Sequence, residues 1–113
     1  MPALDDICSH YAFENHGQVE RFLEHHPHIA EHLAALVPII KEHMPEAGTP
    51  RIKHTPDWPP DGDLMIYIPL PATVSTDDGR RFLKLVDEVW WGPLPVTVRA
   101  VLLADVQWSR GNG

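Results

Sequence analysis

Leu64-Met65-Ile66-Tyr67-Ile68-Pro69-Leu70 is the stretch from which the fold can be read outward. Leu64, Ile66, Ile68 and Leu70 fall on one side of an extended chain, with Met65 and Tyr67 on the other, which is the signature of a strand. Pro69 and Pro71 cannot donate to a ladder, so the C-terminal end of this strand is expected to lie exposed. A helix follows. Ser75 and Asp78 have capping-box spacing, and Asp77 and Asp78 suit the positive end of the helix dipole. Phe82, Leu85, Val86, Val89 and Trp90 make one apolar face, and Gly92 with Pro93 closes it. From Val96 to Trp108 the alternation returns: Val96, Val98, Ala100, Leu102, Ala104, Val106 and Trp108 point one way. Thr97, Arg99, Asp105 and Gln107 point the other way, among Val101 and Leu103, as in a half-buried strand.

Upstream of Leu64, Pro59-Pro60-Asp61-Gly62-Asp63 is turn chemistry. Arg51 to Thr55 before it reads as a shorter, more polar strand, so the two make a hairpin. Further back, Ile29, Leu33, Leu36, Val37, Ile40 and Met44 recur at helical spacing, with Pro27 at the helix start and Pro38 inside it. Pro38 costs the helix the hydrogen bond to the Ala34 carbonyl. Val19, Phe22 and Leu23 form the face of a preceding helix that Asn15, with Gln18, is placed to cap. Leu4, Ile7, Cys8 and Tyr11 predict a short N-terminal helix within residues 4–13. The expected fold is a single α+β domain over residues 1–113 with the order helix–strand–strand–helix–strand. Its sheet is three-stranded and mainly antiparallel, with the last strand antiparallel beside the first hairpin strand. The helices pack on one face, a truncated ferredoxin-like arrangement.

The 113 residues, 43% apolar and 22% charged, suit one globular domain. Runs such as Ala100–Ala104, five residues, are far shorter than the roughly 20 needed to span a bilayer. The Met1–Asp6 segment has neither the basic nor the apolar region of a secretory signal, and one cysteine, Cys8, cannot form an internal disulfide. A cytoplasmic location is the expectation. Sixteen acidic side chains against nine Lys and Arg give a formal charge of −7, which disfavours nucleic acid and anionic membranes as partners. All eight histidines lie between His10 and His54, so acid would carry the charge from −7 through zero.

Four segments occur in series: Phe22-Leu23-Glu24-His25-His26-Pro27, Met44-Pro45-Glu46-Ala47, Pro60-Asp61-Gly62-Asp63-Leu64, and Phe82 through Asp87-Glu88-Val89-Trp90-Trp91. In this the chain resembles a group of small uncharacterised bacterial α+β proteins with a Phe-Leu-x-x-x-Pro … Asp-Glu-x-Trp-Trp pattern. The resemblance spans roughly residues 19–108. It departs at Met44, where the pattern has an aromatic, and at Pro38. It implies a cytoplasmic single-domain protein with no assigned catalytic residues, of a kind often encoded beside a partner gene, as antitoxins are.

Among candidate sites, His28-Ile29-Ala30-Glu31-His32 has the His-x-x-Glu-His spelling of inverted zinc peptidases. Residues four apart on a helix can both reach one ion, so His28 and His32 are the candidate ligands for zinc or nickel. A third ligand would come from His25, His54 or Asp57. On the helix wheel His28, His32 and His43 also sit on the polar flank, where solvation alone accounts for them. No Gly-x-Ser-x-Gly context or phosphate-binding glycine loop is present, and Asp77-Asp78 and Asp87-Glu88 are explained as helix ends and solvated faces. No catalytic residue and no cofactor is therefore expected. The leading expectation is a non-catalytic protein-interaction module, contacting its partner through Trp58, Trp91, Arg99, Val101 and Leu103. The uncharged run Ala100–Ala104 in an edge strand favours a homodimer or a neighbour-encoded protein that adds a strand. A histidine-rich metal-binding protein is the alternative.

Overall fold

The computed structural model describes residues 7, 9–55 and 63–108. Strand β1 (Ala12–Glu14) leads into helices α1 (His16–His25) and α2 (Pro27–His43), then strands β2 (Arg51–Thr55) and β3 (Asp63–Leu70). Helix α3 (Thr76–Val86) runs on into a π-helical turn, Asp87–Trp91; a one-turn helix α4 (Val96–Arg99) and strand β4 (Leu102–Trp108) follow. The strand order is β1-β2-β3-β4, with β1/β2 and β3/β4 parallel and β2/β3 antiparallel.

The fold is α+β as expected, but the sheet is mixed and four-stranded, and the truncated ferredoxin-like arrangement is not confirmed. β1 is three residues long with one large apolar side chain, Phe13, too short to show alternation. It takes the place of the end of the predicted N-terminal helix; Ile7, Ser9 and His10 are helical, while Leu4 and Cys8 lie outside the described residues. β4 lies parallel to β3, not antiparallel to the first hairpin strand. A helix between two neighbouring strands carries the chain back to its starting end, and that makes them parallel. The hairpin loop, with Trp58, falls outside the described residues.

Two further differences have local causes. Residues 96–99 do not extend β4. After Pro95 they close a helical turn, with Val98 N and Arg99 N donating to Pro95 O at 2.9 Å and Ala100 N to Val96 O at 3.0 Å. That turn buries Val98 and leaves Val96 71% exposed, although an extended chain would put both on one face. Pro69 does not leave β3 exposed: β3 is central, and Leu70 is buried. The Pro69 carbonyl accepts from Gly48 N at 2.9 Å on the β2 side, so the donor it lacks falls just beyond the end of β2.

One face of the sheet carries Ile52, Leu64, Ile66, Ile68, Leu70, Leu102 and Val106, all buried. Against it pack Val19, Phe22 and Leu23 of α1, Ile29, Leu33, Leu36 and Ile40 of α2, and Phe82, Val86 and Trp90 from α3 onward. Tyr11 sits in this core with its hydroxyl donating to Leu33 O at 2.6 Å, and burial pushes its phenol further above its ordinary range. Ser75 Oγ accepts from Asp78 N at 3.0 Å, as its spacing predicts. Asn15 does not cap through its side chain: it takes a left-handed conformation (φ 53°), tolerated by asparagine, and its carbonyl receives Gln18 N and Val19 N.

Candidate functional site

The margin of β4 is where the structure gathers the predicted contact residues. Within a strand, successive residues turn their N–H and C=O to opposite sides. Val101 O accepts from Leu64 N at 2.8 Å, so Val101, Leu103, Asp105 and Gln107 address β3. Leu102, Ala104, Val106 and Trp108 address the open edge.

That edge is partly closed from within the chain. Trp91 Nε1 donates to Leu102 O at 2.7 Å, and Val106 N donates to Asp105 Oδ1 at 2.8 Å. The π-helical turn makes the first of these bonds possible. Trp90 and Trp91, adjacent in sequence, point to different sides of the turn and reach different acceptors: Trp90 Nε1 donates to His32 O at 2.7 Å. Val89, expected on the buried face, is 49% exposed as a result. Gly92 ends the turn with right-handed angles, and its N–H donates to Asp87 O at 2.7 Å. A Cβ at Gly92 would stand 2.9 Å from that same oxygen, so a close approach requires the glycine rather than a left-handed cap.

Arg99, on α4, lies with its guanidinium 5.6 Å from the centre of the Trp91 ring. A cation over an indole at this range contributes about 0.5–1 kcal/mol at an exposed site. The structure thus brings Trp91 and Arg99 together. Val101 is half-buried against the core, and Leu103, 36% exposed, points from the opposite, helix-free face of the sheet. Beside the margin, the Asp87 carboxyl is held above its ordinary range by partial burial and by the neighbouring charges of Asp105 and Glu88. Sequence reasoning missed Val89 and Val96 as exposed apolar residues. Pro95 was the available signal for Val96, since it stops an extended reading from running through it.

The helix-free face holds a second polar group. Arg51 pairs with Glu14 Oε1 at 3.2 Å, hydrogen-bonds Gln107, and lies 5.8 Å from the centre of the Tyr67 ring.

His28 and His32 stand one turn apart on α2, the first exposed and the second half-buried. Among the described residues no group of three or more His, Cys, Asp and Glu side chains is placed to hold a metal ion. His25 is exposed, and Asp57 lies outside the described residues. His26 and His54 instead flank Phe22, with ring centres 4.5 Å and 5.4 Å from it.

Two open clefts border α2. The larger, about 530 Å³, has an apolar floor of Met44, Val74, Phe82 and Leu85 and a rim that includes the Asp78–Arg81 pair at 3.5 Å. The smaller, about 320 Å³, lies between Ser9-His10 and the Met44–Pro50 connection. No helix among the described residues is long and apolar enough to cross a membrane. The chain matches no known family model, no curated protein and no solved structure.

Proposed function

We propose that this protein is a non-catalytic protein-interaction module whose contact surface is the segment from Val89 to Leu103 along the margin of β4. One observation carries the reading. Among the described residues, the large hydrophobic side chains left exposed are Val89, Val96 and Leu103, and all lie in this segment, bracketing Trp91 and Arg99. Scattered exposed apolar residues are ordinary; a concentration within 15 residues around a tryptophan–arginine stack is the composition of a contact surface. The partner is a protein, in keeping with the acidic charge and with an antitoxin-like protein encoded beside its partner. In this reading Trp91 and Arg99 form the anchor, Val96 the exposed apolar contact and Val101 the support beneath them.

The test starts from proteins that copurify with the chain from its own cell. One is identified by mass spectrometry, purified, and titrated against wild type, Trp91→Ala and Val96→Asp. Loss of about 2 kcal/mol or more of binding with either variant, each still folded, supports the reading. A partner that binds both variants as it binds wild type would refute this surface.

A further inference from the structure

Among the described residues the helices all pack on one side of the sheet, and none of them covers the other side. Across that face the register aligns two rows: Arg51–Tyr67–Asp105 and Lys53–Met65–Leu103. Cations therefore lie on β2, half-buried apolar and aromatic side chains on the central β3, and an acid with an exposed leucine on β4.

We propose that this helix-free face is a self-association surface, on which a second copy of the chain packs about a two-fold axis running along β3. The proposal goes beyond the β4-margin reading and uses a different face, sharing with it only Leu103. A two-fold contact must be self-complementary. With the axis over β3, β2 of each copy opposes β4 of the other, so Arg51, which also holds Glu14 and Gln107 of its own chain, meets the other copy's Asp105, and Lys53 lies over the other Leu103 beside that acid. Tyr67 and Met65 meet their own counterparts. An axis between β2 and β3 would instead set Glu14 over the other copy's Leu103, Asp105 over its Ala12 and Arg51 over its Tyr67, so that no cation would face an acid. Charge thus selects the first arrangement. Pairing through the β4 edge is the less suited route, because Leu102 O and Val106 N are already engaged there.

Size sets the strength. Strands of three, five, eight and seven residues, spaced about 4.8 Å apart and rising about 3.3 Å per residue, give a plane of roughly 360 Å². Stable complexes bury about 800 Å² per partner, so this dimer is a weak one that forms with concentration.

Sedimentation equilibrium from micromolar to about 1 mM should show a rise from 12.8 kDa toward twice that mass. Arg51→Glu and Asp105→Arg should each weaken association about tenfold, and the two together should restore it. In a Cys8→Ser background, Met65→Cys lies at the axis and should be joined to its counterpart by a short bismaleimide crosslinker, which spans the roughly 10 Å between packed sheets, whereas Val96→Cys should not be joined under the same conditions. The cysteine pair decides the matter if a charge variant fails to fold. A single 12.8 kDa species throughout, association indifferent to the charge reversals, or equal crosslinking at both cysteines would overturn the proposal. Partner binding through Trp91 is measured below micromolar concentration, so either reading can fail without the other.

Discussion

Trp108 lies where a side chain on residue 79 would have to stand: a Cβ built on Gly79 would meet its ring Cη2 at 2.8 Å and Leu70 Cδ1 at 3.1 Å. The indole is held there by its Nε1, which donates to Val74 O at 2.9 Å. An absent side chain on α3 is thus what lets the last residue of β4 dock. Ala normally gains up to about 1 kcal/mol over Gly inside a helix. Gly79→Ala should nonetheless destabilise by about 1–3 kcal/mol, because a rigid ring cannot yield. Urea unfolding checks this, and the penalty should shrink in a Trp108→Leu background.

Tyr11→Phe leaves the Leu33 carbonyl without the hydroxyl it accepts from, and should cost about 1–2 kcal/mol at pH 7. The folded-state pKa of Tyr11 is raised, so the stability it contributes is complete below the unfolded phenol value of about 10 and is lost as pH rises above it. Wild type should therefore lose stability steeply from pH 10 upward. In Tyr11→Phe that slope should be one tyrosine shallower.

Trp91→Phe keeps the packing of an aromatic ring but removes the donor to Leu102 O, reopening the β4 edge. A loss of about 1 kcal/mol in stability is expected. Faster aggregation on mild heating, followed by light scattering, should accompany it because an unprotected edge templates pairing.

Zinc or nickel titration should give weak, poorly saturable binding, since His28 and His32 are joined by no third ligand among the described residues. His28→Ala with His32→Ala should leave the melting temperature unchanged with and without metal. A one-to-one isotherm abolished in that double variant would assign the site to these residues.

Lowering the pH from 7 to 5 should bring the chain, formally −7 at pH 7 and carrying eight histidines, toward zero net charge. Solubility should fall near pH 5.5 while the far-ultraviolet circular dichroism stays intact. Cooperative unfolding in that interval would mean that several of these rings are buried in the neutral form.

The central elements were legible because their apolar side chains repeat. Leu64 to Leu70 alternates without exception, and Ile29 to Ile40 holds helical spacing through Pro38. What escaped was structure with no period of its own. β1 has one large apolar residue, and its place in the sheet depends on β2, about forty residues away. Residues 96–99 carry the same valines whether extended or helical; the hydrogen bonds that decide the matter start at Pro95. The candidate site was half legible. Trp91 and Arg99 stood out by residue type, but their stacking depends on a π-helical turn that shifts the phase of the helix after Val86.

That turn also has a mechanical consequence. The chain is two strand–helix–strand halves, β1 through β2 and β3 through β4, joined along one antiparallel seam. From a single turn, Trp90 reaches into the first half at His32 and Trp91 ties down the last strand at Leu102. Neither half can loosen without pulling on the same five residues. The two adjacent indoles work as a rivet, and it makes one cooperative unit of two motifs that share little else beyond a seam and a core.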